Sequence, residues 1–303
     1  MEQLSWAAED NYLIDEVGVS VRATDETFFG LVRPYLASFA VDEPPEGYRR
    51  FSANVGEDRT WPGGKVTRGI NSLYLGMLRV YRGRYREEMA GRLLSLARDM
   101  VTDGQNEFFR VRAGAVAVNG AAIILPSAPE PHLAGLVAIL VQRGAGYLAD
   151  SMAKIDPVLR RSHGTALPLM VDEVDFPLLQ GVDAPVPRAR PRRDGGRGVV
   201  PPLPVSVEQL GGAWADPAPI GWIVLVSFDP GEETRLEPAG GADALFRFTE
   251  AVLNLHVWQD RALLFTRDLL ESVPVSTLVV GSLPDAADLL MRFAPSMLGE
   301  VSV

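Results

Sequence analysis

The stretch from Val111 to Asp150 constrains the fold most. Val111–Val118 and Ala121–Leu125 are runs of small and β-branched residues joined by Asn119-Gly120, the strongest short hairpin signal a sequence can carry. A loop, Pro126–Pro131, follows them. An apolar segment over His132–Gln142 then predicts a helix, Arg143-Gly144 breaks it, and Tyr147–Ala149 predicts a strand that closes at Asp150. Strand, loop, helix and strand in this order make a βαβ unit, whose ligand site lies at the carboxyl ends of its strands.

The flanking sequence predicts more α/β structure. Val17–Arg22 and Tyr48–Val55 predict strands, Lys65–Ile70 a third, and the spacing of Met89, Leu93, Leu96, Ala97 and Met100 a helix over Tyr85–Val101. Beyond the central unit, Ile220–Phe228 and Ser276–Val280 predict strands, and Ala242–Asn254, Ala262–Ser272 and Pro284–Ala294 predict helices. The expected boundary lies at residue 104, an N-terminal α/β region covering 1–104 and a second domain 105–303. Residues 183–204 combine six prolines with Arg188, Arg190, Arg192, Arg193 and Arg197, a composition that predicts a mobile loop inside the second domain.

Composition narrows the chemistry. The chain has no cysteine, which removes disulfides, thiolate metal sites and cysteine nucleophiles and fits a cytoplasmic setting. Asp and Glu number 39 against 29 Lys and Arg, a formal charge of −10, so neither nucleic acid nor an anionic membrane is an expected partner. The start of the chain lacks the basic and apolar pattern of a signal peptide, and no apolar run is long enough for a membrane span. The only lysines are Lys65 and Lys154. His132, His163 and His256 lack metal-ligand spacing, His132 at a helix start reads as a surface residue rather than a catalytic base, and Asp172, Glu173 and Asp175 form an acidic cluster that reads as a solvated face or a site for a hard cation. Trp214, Trp222 and Trp258 read as core or interface anchors.

In order and spacing, Arg112-Ala113, Asn119-Gly120, Ile123-Ile124-Leu125, Arg143-Gly144 and Asp150-Ser151 resemble the catalytic core of the HPr kinase/phosphorylase family. The similarity is closer to its short bacterial relatives found beside peptide-modification enzymes. Phe228-Asp229-Pro230-Gly231 and Thr234–Pro238 resemble the C-terminal part of those relatives, and Leu73–Gly83 their N-terminal part. The resemblance implies a PEP carboxykinase-type P-loop domain preceded by a small α/β region. It places Arg112 where the family has histidine, and Asp150 at the first acid of a catalytic pair whose second member is here Ser151.

The chain departs from the family at the phosphate loop itself. In register, GxxxxGK[ST] falls on Ser127, Ala128, Pro129, Glu130, Pro131, His132, Leu133 and Ala134. Ser127 and His132 replace glycines, Leu133 the lysine and Ala134 the hydroxyl residue, while Pro129 and Pro131 offer no amide and Glu130 adds a repelling charge. Asp150 is then a vestigial catalytic residue, and no nucleotide or metal cofactor is expected. The expected function is that of a non-catalytic pseudokinase, an accessory, scaffold or peptide-binding protein in a bacterial biosynthetic pathway that includes peptide natural products. Arg112 and the five loop arginines are the candidate anion or partner contacts, and Arg112 is expected rather to pair with Asp150 across neighbouring strand ends. Two alternatives stay open: an atypical kinase using arginines and Asp150, and a structural homo-oligomer subunit.

Overall fold

A computed structural model of the chain describes residues 5–103, 105–128, 132–165, 167–182 and 202–298. Two compact units divide them, 5–103 with 202–204 and 105–182 with 205–298, and both mix helices with sheets.

The first unit is built on a six-stranded sheet of β1 (Ala8–Ile14), β2 (Val17–Ala23), β3 (Ala40–Val41), β4 (Arg49–Asn54), β5 (Asn71–Leu75) and β6 (Leu78–Gly83), in the order β3-β1-β2-β4-β5-β6. Strand β2 is its buried centre, antiparallel to β1 and parallel to β4, with Val19, Val21 and Ala23 fully enclosed. Helix α1 (Arg86–Asp103) buries Met89, Leu93 and Ala97 of the predicted face, but Leu94 and Val101 are buried where Leu96 and Met100 were expected, and those two are only half-buried. Sequence reasoning missed β1, whose Glu9-Asp10-Asn11 stretch hides the alternation; Glu9 lies on the exposed side of the strand, accepting a 2.7 Å hydrogen bond from the buried Ser20 hydroxyl and pairing with Arg50 at 3.1 Å. The expected strand Lys65–Ile70 is only a two-residue ladder at Val66–Thr67, and the sheet strand begins at Asn71.

The second unit carries a nine-stranded mixed sheet. Its strands are β7 (Phe109–Val111), β8 (Ala113–Val118), β9 (Ala121–Pro126), β10 (Gly146–Ala149), β11 (Ala153–Ile155), β12 (Arg161–His163), β13 (Ala218–Phe228), β14 (Arg235–Pro238) and β15 (Val275–Val280). The main order is β10-β8-β9-β13-β12-β11-β7, with β15 beside β13 and β14 beside β15. Asn119 and Gly120 turn the β8–β9 hairpin with φ of +51° and +78°, the two left-handed residues that a tight hairpin turn requires. Strands β9, β13 and β15 run parallel to one another, and β13, enclosed from Trp222 to Val226, is the spine that β9, β12 and β15 all join.

The longer helices are α2 (Leu133–Gln142), α3 (Gly241–Ala251), α4 (Asp260–Ser272) and α5 (Leu283–Leu298). Every residue of α2 from Leu133 to Val141 is buried, because the helix packs on β8 and against α5. Gly114 of β8 makes that approach close: a Cβ there would stand 2.6 Å from Val137 Cγ2. Strand alternation turns the neighbouring Ala113 and Ala115 the other way, into a core shared with Phe248 of α3 and Leu269 of α4. The βαβ unit is present in a split form. Strands β9 and β10 flank α2 in sequence and both lie antiparallel to β8, so they are parallel with the hairpin partner between them.

Candidate functional site

The run Val111–Val118, expected as one strand, breaks at Arg112. There the backbone leaves the sheet ladder: the Arg112 N–H donates to Ala251 O at 2.7 Å, and its carbonyl accepts from the Ser127 N–H at 3.3 Å. The break ties together β8, the carboxyl end of β9 and the last turn of α3. A cleft of about 380 Å³ opens at this junction, floored by Pro126, Ser127 and Ala128 from the end of β9 and Leu225, Val226 and Ser227 from the end of β13. Arg112 forms one wall, and Arg247, Glu250 and Ala251 of α3 form the other. It therefore lies at the carboxyl ends of two parallel strands, the place where α/β sheets put ligands.

Two cations and a hydroxyl give the cleft its chemistry. The Arg247 guanidinium donates to Ser227 Oγ at 2.9 Å and Thr277 Oγ1 at 3.3 Å, so hydroxyls orient its charge without cancelling it. Arg112 has no side-chain carboxylate partner among the described residues. Ser127 is 4% exposed and its Oγ has no hydrogen-bond partner, an unmet polar group in the cleft floor. Sequence reasoning singled out Arg112 and Ser127 but not Arg247, Ser227 or Glu250. Arg247 and Glu250 stand one turn apart on α3, a spacing too common on helices to serve as a signal.

The remaining positions of the expected loop window divide. Pro129, Glu130 and Pro131 lie outside the described residues. Leu133 and Ala134 are buried in the first turn of α2. His132, read from sequence as a surface residue or base, is instead held: its Nδ1 lies 2.9 Å from Oδ1 of Asp175, a carboxylate 2% exposed. The His132 ring also packs on Phe228 at 5.7 Å between centroids. Burial pushes the Asp175 carboxyl above its ordinary range, against the pull of His132. Asp172 is raised by its own burial first and by the Asp175 charge second. The acidic cluster is thus not a fully solvated face, and no group of three His, Asp or Glu side chains suited to a metal forms among the described residues.

Asp150 is structural in its contacts. Its Oδ2 accepts the Met170 N–H at 2.8 Å and its Oδ1 faces Tyr147 Oη at 3.3 Å and Ser151 Oγ at 3.4 Å, with the residue 3% exposed. An ion pair between Arg112 and Asp150, the sequence expectation, does not form among the described contacts. Lys154 is buried in β11 with Nζ 5.7 Å from the Phe108 ring centroid, whereas Lys65 is exposed in the first unit. Trp222 is a core anchor, its indole N–H donating to Ser276 Oγ at 3.1 Å. Arg188, Arg190, Arg192, Arg193 and Arg197 lie outside the described residues, as does nearly all of the expected loop. No helix among the described residues is long and apolar enough to cross a membrane. The sequence matches no protein-family model and no protein of curated function.

Proposed function

We propose that the chain is a non-catalytic, HPr kinase-like pseudokinase that binds a peptide or protein partner as an accessory or scaffold component of a bacterial biosynthetic pathway. The observation that carries this reading is the start of α2. A working phosphate loop brings glycine amides and a lysine to that turn. Here Leu133 and Ala134 are buried in it, and the Asp175 carboxylate stands against its flank, 2.5 Å from where a Cβ on Gly135 would be. A carboxylate beside the helix start repels a triphosphate, an effect of about 1–4 kcal/mol at contact distance.

The inventory of bases supports the same reading. The one lysine of the second unit is buried in β11, and the position of the first catalytic acid, Asp150, is occupied in holding Met170 and Tyr147. His132 is oriented by Asp175, yet among the described residues no serine or threonine hydroxyl is hydrogen-bonded to it as a nucleophile.

The test is phosphoryl transfer. Incubation with γ-labelled ATP or GTP, magnesium and candidate peptides is expected to leave peptide and protein unlabelled, while affinity capture from the native host retains a partner. Label transfer abolished by Asp150→Ala would overturn the reading in favour of an atypical kinase.

A further inference from the structure

One stretch of this acidic chain carries no acid at all. Residues 59–86 hold seven Lys and Arg residues and no Asp or Glu, the longest acid-free run in a sequence whose formal charge is −10. Within that run lies β6, the end strand of the first unit's sheet. We propose that the open edge of β6 takes up an extended acidic peptide as an added strand, with Arg79 and Arg82 pairing with its carboxylates.

Backbone and side chains point to the same occupant. Among the described residues β6 pairs with β5 alone, so alternate N–H and C=O groups along its other side turn outward and can hydrogen-bond a further strand. The other sheet ends offer less: β3 has two residues, β14 ends at Pro238, and bridges from Val252 and Trp214 occupy β7 and β10. The ladder of β6 holds a bulge at Val80, since Tyr74 stands opposite Arg79 while Leu73 stands opposite Tyr81. Cross-strand partners share a face, so Arg79 beside Tyr74 and Arg82 beside Ser72 lie on one face although three positions separate them. Both are exposed. Helix α1 takes the opposite face, where Tyr81 Oη donates to Glu88 of that helix at 2.8 Å.

Charge decides what can pair there. Arginines along an edge repel the same edge of a second copy, and they repel the arginine-rich stretch 183–204 of this chain. A strand with carboxylates on alternate residues instead meets both guanidinium groups on the face away from α1. Six residues of strand span about 20 Å, enough for a segment of about six extended residues. Met77 and Leu78, 93% and 68% exposed at the entry to β6, add apolar contact, which favours a peptide over a polyanion such as nucleic acid. The inference names the chemistry of the partner and rests on the partner-binding part of the reading above. Phosphoryl transfer would overturn the pseudokinase part alone, and the outcomes below overturn the edge alone.

Fluorescence anisotropy of the full chain with short blocked peptides tests it: valine alternating with glutamate, valine alternating with lysine, and the glutamate peptide with proline in place of valine. The first is expected to bind and the second not to. The proline peptide keeps every carboxylate but loses amides that a strand needs, so it is expected to bind at least about tenfold more weakly. Equal binding of the two acidic peptides would mean charge attraction without strand pairing and overturns the proposal. Arg79→Glu combined with Arg82→Glu is expected to weaken glutamate-peptide binding at least about tenfold and to admit the lysine peptide, an exchange of preference that damage to the fold does not produce. Should that variant fail to fold, hydrogen exchange on the wild-type chain decides: the outward amides of β6 are expected to exchange fast in the free chain and to slow on addition of the glutamate peptide. Outward amides already protected in the free chain would mean that a second copy or the chain's own segment covers the edge, and this overturns the proposal. Absence of binding, protection confined to other strands, or tighter binding of a polyuridine oligonucleotide or phosphatidylserine vesicles through the same arginines overturns it as well.

Discussion

His132 and Asp175 are bound to each other at 2.9 Å, one at the entrance of α2 and the other 43 residues later in the chain, and the carboxylate of the pair is almost wholly enclosed. Oδ1 faces the imidazole, and Oδ2 has no hydrogen-bond partner. The pair therefore leaves half of a buried charge unmet.

That half-met charge makes stability depend on pH. The folded-state pKa of Asp175 is raised, chiefly by burial, so the folded protein holds this proton more tightly than the unfolded chain. The associated stability is fully present below the ordinary Asp pKa and is lost as pH rises through the folded value. Asp172 shifts in the same direction, in part through the Asp175 charge. Asp175→Asn is expected to raise the neutral-pH stability and to flatten the decline between acid and neutral pH. Chemical denaturation of both proteins along a pH series measures it.

Gly135 is explained by the same carboxylate. A Cβ at this position would meet Asp175 Oδ2 at 2.5 Å and Cγ at 2.8 Å. Alanine gains about 1 kcal/mol of helix propensity over glycine, but overpacking a buried site costs about 1–3 kcal/mol. Gly135→Ala is expected to destabilise the wild type by about 1 kcal/mol, and to stabilise an Asp175→Ala background once the carboxylate is gone. A double-mutant cycle in urea shows the change of sign.

The difference between what the sequence disclosed and what it hid follows from the range of the interactions. Asn119-Gly120, the enclosed run in β13 and the periodicity of α1 are local patterns, and each marks its element within a few residues. Nothing local distinguishes Val111 from Ala113, so the sequence predicts one strand over Val111–Val118 and leaves Phe109 and Arg110 out; the break at Arg112 is set by Ala251, far along the chain. The site was half legible for the same reason. Arg112 and Ser127 stand in a recognisable order of elements, whereas Arg247 reaches the cleft only through the packing of α3 on β13. His132 looked like a surface residue because its partner lies 43 positions away.

The β8–β9 turn fixes the register that delivers Ser127 to the cleft. Gly120 holds φ at +78° beside Asn119 at +51°. A side chain at a left-handed position costs about 1–2 kcal/mol, and asparagine bears that cost better than alanine. Gly120→Ala is expected to lower stability by about 1 kcal/mol, with Gly120→Asn in between. No Cβ contact lies within 4 Å of this glycine, so the loss reports backbone strain alone. Thermal denaturation of the two variants checks the ranking.

Asp150 separates a structural residue from a catalytic one. Its buried carboxylate accepts the Met170 N–H at 2.8 Å and so holds the segment entering Met170 against the end of β10. Removing one partner from a buried, charge-assisted hydrogen bond strands the other, at about 2–4 kcal/mol for a group with several contacts. Asp150→Ala is therefore expected to lower stability by about 2–4 kcal/mol, with the Met170 amide losing much of its protection from hydrogen exchange. Asp150→Asn keeps an acceptor for Met170 and is expected to lose less than half as much. A catalytic carboxylate behaves in the opposite way, since catalytic groups are placed at some expense of stability and alanine replacement tends to stabilise the fold. Unfolding curves for the two variants, read beside exchange at Met170, decide between the roles: a stabilised Asp150→Ala protein with Met170 protection intact would return Asp150 to the catalytic reading.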